Sequence, residues 1–203
     1  MNLKTIAPRL VTIAATGALL VGGTMAYFFD EGQSTGNVFS AGILDLKLSN
    51  NGVDFDNSVT ATFGGTNMAP GGPAEEGTLT MKNVGTLAAN HVDLEFSNVL
   101  TFSGAVHPMD QYLEVMTLTY GGVDLLSSVV NLNSTSFKDL DDLENQNQSL
   151  TDDLVNLDGI AADATKALVM SVRLHSSATD DIQGQSVTMS IMVSLNQGPH
   201  SAE

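Results

Sequence analysis

VTMSIMVSL, residues 187–195, places Val187, Met189, Ile191, Val193 and Leu195 on one face of an extended chain, with Thr188, Ser190 and Ser194 on the other. Met192 is the one exception. Period two over such a stretch marks a strand with one face in a core and one in water. The period returns at Ala167–Leu174, where Leu168, Met170, Val172 and Leu174 should point inward and Ser171 and Arg173 outward. Val92, Leu94 and Phe96 alternate with Asp93, Glu95 and Ser97 in the same way. Phe39–Leu48, Ser58–Phe63 and Thr78–Val84 are further expected strands. Glu114–Tyr120 and Val123–Leu126 flank Gly121-Gly122, and two glycines accept the positive φ of a tight hairpin. Seven or eight short strands separated by turn signals predict an all-β domain, a jelly-roll-like β-sandwich.

One region departs from this period. Between residues 134 and 163, Phe137, Leu140 and Leu143 fall at helical spacing, as do Leu150, Leu154 and Leu157. Ser136 and Ser149 are the expected N-caps, each followed by acidic residues that suit the first turn of a helix. The expectation is a short helical insertion on a β-rich body.

At the other end, Lys4 and Arg9 precede an apolar run from Leu10 to Val21, and Gly22-Gly23-Thr24-Met25-Ala26 follows. A basic start, an apolar middle and a small residue at the cut predict a secretory signal peptide over 1–26. The run is shorter than the roughly 18–20 residues that span a bilayer. Cleavage between Ala26 and Tyr27 would leave 177 of the 203 residues, divided into an N-terminal segment 27–37 and a β-sandwich domain 38–203. A chain of that size can bury a substantial core.

The formal charge is −16, and removal of Lys4 and Arg9 takes it to −18. Such acidity disfavours nucleic acid, whose phosphates are met by Lys and Arg, and equally an anionic lipid surface. Cysteine is absent, so an exported fold of this sequence holds together without disulfides.

Several short motifs, in order along the chain, carry a resemblance. They begin with Ala26-Tyr27-Phe28-Phe29-Asp30, Ser34, Asn37, Phe39, Ala41-Gly42 and Leu44-Asp45-Leu46. Asn67-Met68-Ala69-Pro70-Gly71, Asn83-Val84-Gly85-Thr86-Leu87 and Gln183-Gly184-Gln185-Ser186 complete them. The set resembles the TasA/camelysin family, which includes biofilm-matrix fibre proteins and archaeal bundling-pilus subunits. Met25, Ile43 and the acidic insertion depart from the family's pattern. The resemblance implies a jelly-roll sandwich, export with the help of a signal peptidase, and assembly into extracellular pili or matrix fibres.

Tyr27, Phe28 and Phe29 would be three aromatics at a new N-terminus, each forgoing about 1.5–3 kcal/mol of burial if left in water. They either fold back on their own sandwich or are donated to a neighbour. Donation of an extended segment that includes Tyr27, Phe28, Phe29, Val38 and Phe39 would add a strand to the next subunit's sheet edge. A head-to-tail contact that does not close gives a filament, a homopolymer whose partner is itself. The −18 charge opposes close packing of filaments, so cations are expected to assist bundling.

Chemistry is sparse. His91, His107, His175 and His200 show no metal-ligand spacing, and neither a Cys nucleophile nor a serine-hydrolase elbow is present. The expectation is a non-enzyme without a cofactor, calcium being the one ion considered. Its candidate ligands are Asp139, Asp141, Asp142, Asp152, Asp153 and Asp158, although Asp139–Glu144 lacks the glycine of a calcium-binding loop and reads more simply as a solvated helix face. Asn133 and Asn147 fit the N-glycosylation acceptor pattern. Two other readings stand beside the fibre: a secreted metallopeptidase of camelysin type, and a monomeric cell-surface module that binds cations.

Overall fold

The computed structural model describes residues 41–60, 62–101, 107–146, 154 and 157–198. The expected signal peptide, the cleavage pair Ala26–Tyr27 and the donor residues Phe28, Phe29, Val38 and Phe39 lie outside them, as do Asn147, Asp152 and Asp153.

Antiparallel strands form two sheets. β1 (Leu46–Ser49), β2 (Glu75–Asn83), β4 (Leu113–Tyr120), β5 (Val123–Asp124) and β7 (Thr165–Leu174) make the first, in the order β1-β2-β7-β4-β5. β3 (His91–Thr101), β6 (Leu157–Asp158) and β8 (Ser186–Asn196) make the second, in the order β6-β3-β8. The chain passes from one sheet to the other between β2 and β3, β3 and β4, β5 and β6, β6 and β7, and β7 and β8, as in a jelly-roll-like sandwich. The core lies between the sheets. Leu79 and Met81 of β2, Leu118 of β4 and Leu168 and Met170 of β7 face Val92, Leu94 and Phe96 of β3, all buried.

The alternation in β2, β3, β7 and β8 follows the sequence pattern, and the Gly121-Gly122 hairpin forms with φ of +57° and +84°. Three expectations about the strands fail. Ser58–Phe63 forms no strand among its described residues; Val59 and Phe63 pack against the core from irregular chain, and the isolated bridge to β1 is made before this stretch, by Asp56 to Leu48. Of the expected Phe39–Leu48 strand, the described residues before Leu46 are irregular; here Gly85 packs directly on the backbone of residues 43–45, where a Cβ would sit 2.3 Å from the Ile43 carbonyl oxygen. Ser171, expected outward in water, is buried because a bulge at Met116 of β4 sets the Thr117 hydroxyl 2.7 Å from its own.

The insertion carries one described helix, α1 (Leu140–Gln146). Asp139, not Ser136, caps it. Its Oδ1 accepts from the Asp142 N–H at 3.1 Å while Asp142 Oδ2 accepts from the Asp139 N–H at 3.2 Å, a reciprocal capping box made from two aspartates. Leu157, expected on a second helical face, sits in β6, where it pairs with Val92 of β3. Ladder hydrogen bonds supplied by a neighbouring strand override local helical spacing.

Candidate functional site

The resemblance motifs become joints. Asn83 ends β2 fully buried; its Oδ1 accepts from the Gly85 N–H at 3.0 Å, and its Nδ2 donates to the carbonyls of Leu87 (2.7 Å) and Ile160 (3.0 Å). Thr86 and Val84 donate backbone hydrogen bonds to Ile43 and Asp45, fixing the Ala41–Leu46 stretch beside β2. Ala69-Pro70-Gly71-Gly72 closes a turn with a 2.9 Å bond from Gly72 to Ala69, Gly71 taking φ of +69°. Gln185 ties together three segments: it accepts from the Met109 N–H and donates to the carbonyls of His107 and Asp181.

The Pro70 turn and the Gln185 joint border a groove of about 650 Å³, which Glu75 at the start of β2 also lines; the Asn83 joint lies at the other end of that strand. Met68, Met109 and Met170 line it together with Ile182, Val187 and Met189. The groove reaches β8, which among the described residues has β3 as its single neighbour and so presents a free edge eleven residues long. In register, Val92, Leu94 and Phe96 of β3 oppose Leu195, Val193 and Ile191 of β8. The three on β3 are sealed, whereas their partners on β8 are only half-buried. The inner face of β8 therefore lacks cover that its neighbour has. A free edge with an unfinished apolar face is the arrangement that accepts an added strand.

Beside the groove lies an acidic corner. The 3-10 turn Met109–Tyr112 packs on α1, bringing Asp110 together with Asp141 and Glu144 so that one carboxylate oxygen from each lies within 4.8 Å of the others. Asp110 is almost fully buried, and burial, reinforced by the negative charges of Asp141 and then Glu144, pushes its carboxyl up to about 6. The solvated helix face expected over 139–144 is thus wrong for two of its members: Asp139 and Asp142 are fully buried. Burial raises both carboxyls, Asp139 to about 6, against the lowering effect of their hydrogen bonds. They are drawn inside because they cap α1 and hold its approach loop, Asp142 accepting from the Leu132 N–H at 2.7 Å.

Of the calcium candidates, Asp141 joins this corner and Asp139 and Asp142 adjoin it, whereas exposed Asp158 stands on β6 beside Lys166 at 3.5 Å. Asp110 has no periodic or motif signal in the sequence and was not foreseen; its place depends on the fold bringing residue 110 to residue 141. Asn133 turns its amide to the Asp139 carboxylate (3.0 and 2.9 Å) and to Asp141 (3.2 Å). The described histidines stand on separate segments: His91 buried on β3, 3.6 Å from Asp93; His107 edge-on to Tyr112; His175 stacked on Phe137.

Residues 3–201 match the model of the camelysin metallo-endopeptidase family, so the chain belongs to the camelysin family. No curated protein sequence matches it significantly.

Proposed function

We propose that the chain is the structural subunit of an extracellular filament, a pilus or biofilm-matrix fibre, that polymerises head-to-tail through its N-terminal segment. Export removes residues 1–26, and the segment from Tyr27 then enters the groove of the next subunit and adds a strand beside β8. The supporting observation is the contrast within one ladder: Ile191, Val193 and Leu195 are half-buried opposite fully buried Phe96, Leu94 and Val92. Aromatic side chains such as Phe28 and Phe29 suit a groove lined with methionine, whose flexible thioether packs well against aromatic rings. Covering several half-exposed apolar side chains, at about 1.5–3 kcal/mol for a complete burial of each, offsets the ordering of a flexible segment.

Negative-stain microscopy tests the reading with the chain beginning at Tyr27 beside one beginning at Gly36. Filaments from the first alone support it. Monomers from both remove it.

The family's description favours a second reading, a secreted metallopeptidase. Zinc hydrolysis needs ligands converging on one point, and the described metal-spaced group, Asp110, Asp141 and Glu144, contains no histidine. Proteolysis lost on chelation and on substitution of His91, His107 or His175 would favour that activity over assembly.

A further inference from the structure

Five cations follow Ala26, namely Lys47, Lys82, Lys138, Lys166 and Arg173, against 23 carboxylates. Two of the five stand directly opposite each other: Lys47 of β1 pairs with Lys82 of β2. Like charges across a ladder oppose folding, and a chain so rich in carboxylates has every means to avoid the pairing. Lys166 of β7 lies one register position away, opposite Met81. Nearby carboxylates answer only part of this charge. Asp45 lies 3.7 Å from Lys47 and Asp158 3.5 Å from Lys166. Lys82 makes no ion pair among the described residues; its ammonium stands 5.9 Å from the centre of the Phe55 ring.

The other end of the same strand carries the opposite charge. β2 begins with Glu75 and Glu76, both exposed and neither in an ion pair among the described residues. Leu79 and Met81 point into the core, so Glu76, Thr78, Thr80 and Lys82 share the outward face. Glu76 and Lys82 mark the two ends of that face, roughly 20 Å apart at the rise of an extended chain. The path of the chain says which molecule brings such ends together. Residues 43 and 45 are held by Thr86 and Val84, at the Lys82 end, whereas the groove is lined by Glu75, at the other. On the head-to-tail reading, a segment that leaves one subunit beside Asn83 and enters the next beside Glu75 makes unlike ends of β2 meet.

We propose that Lys47 and Lys82 of one subunit dock on Glu75 and Glu76 of the next, the partner being a second copy of this chain. The inference rests on the head-to-tail reading and adds to it the surface that orients each addition. Unlike ends attract, and like ends, lysine to lysine or glutamate to glutamate, repel. The like-charge pair inside the subunit is relieved in the filament.

Growth of filaments from the chain beginning at Tyr27, followed at low salt by light scattering and negative-stain microscopy, tests it. Lys82→Glu should slow growth about fivefold, the order expected when one surface ion pair becomes a repulsion. Its Tm should be unchanged or higher, because the repulsion from Lys47 becomes an attraction. Glu76→Lys should slow growth likewise, although it lowers the net negative charge and would speed assembly if overall repulsion alone mattered. The two changes together should restore growth. Lys82→Glu with Glu95→Lys, equal in net charge but altered on the exposed face of β3, should not. Growth of both single variants at the unaltered rate, or equal rescue by Glu76→Lys and Glu95→Lys, would overturn the proposal and leave the head-to-tail reading intact. Absence of filaments from the unaltered chain would remove that reading and this inference with it.

Discussion

Asn83, at the end of β2, donates from its buried carboxamide to the carbonyl of Ile160, 77 positions along the chain, at 3.0 Å. The same nitrogen holds Leu87, and the carboxamide oxygen receives Gly85. One side chain therefore joins the start of the sandwich to the β6–β7 connection. Asn83→Ala should lower stability by about 3 kcal/mol, since it leaves buried carbonyls unpaired as well as removing bonds. Asn83→Asp should do no better, because it cannot donate. Urea unfolding of the three proteins measures both; a loss below about 1 kcal/mol would mean that water replaces the amide.

Removing the cap of α1 should be felt at a distance. Asp139→Ala deletes half of the capping box and one acceptor of Asn133, with an expected cost of about 1–2 kcal/mol. Leu143→Ala, at a fully buried position of the same helix, should cost about 2–5 kcal/mol through the cavity it leaves. Hydrogen exchange separates the two, the first loosening residues near α1 and the second the core as a whole.

Stability should depend on pH in an unusual direction. Asp110 and Asp139 have folded carboxyls near 6, above the ordinary carboxylate value of about 4 of an unfolded chain. The folded state thus holds those protons more tightly. Their contribution is fully present below about pH 4 and is lost as pH rises through about 6. Asp141 and Glu144 face Asp110 from α1, and Asp142 faces Asp139, so no cation counters the trend. Tm should be higher at pH 5 than at pH 7. Asp110→Asn, which keeps a neutral group at every pH, should flatten that slope, and a Tm rising from pH 5 to pH 7 would contradict the assignment.

A charge placed in the groove should block assembly and spare the fold. Met189→Asp puts a carboxylate on the half-buried face of β8, where the isolated subunit leaves access to water. If the groove receives a neighbour's strand, filaments disappear while thermal unfolding changes by less than about 2 kcal/mol. Ser190→Asp, on the exposed face of the same strand, is the matched control and should assemble. Equal assembly by both variants would exclude this face as the contact.

Period two made β2, β3, β7 and β8 legible from the sequence because each has one face in the core and a partner on at least one side. Ser58–Phe63 carries the same alternation and shows no strand among its described residues, since alternation reports which side chains are buried and not whether a ladder partner exists. Leu157 fell to a neighbouring strand for the converse reason. The motifs containing Asn83 and Gln185 were visible as words, but their sense as joints depends on contacts as distant as residue 160 and residue 107. Asp110 could not be found at all, because only the packing of a short turn on α1 brings it to Asp141.

Met109 lines the groove and Asp110 next to it turns into the acidic corner; Leu140 and Asp141 repeat the arrangement on α1. Groove and corner are two sides of one wall. A proton gained or lost on the outer side would therefore be felt on the inner one, so the shape of the groove is expected to follow the acidity of its surroundings.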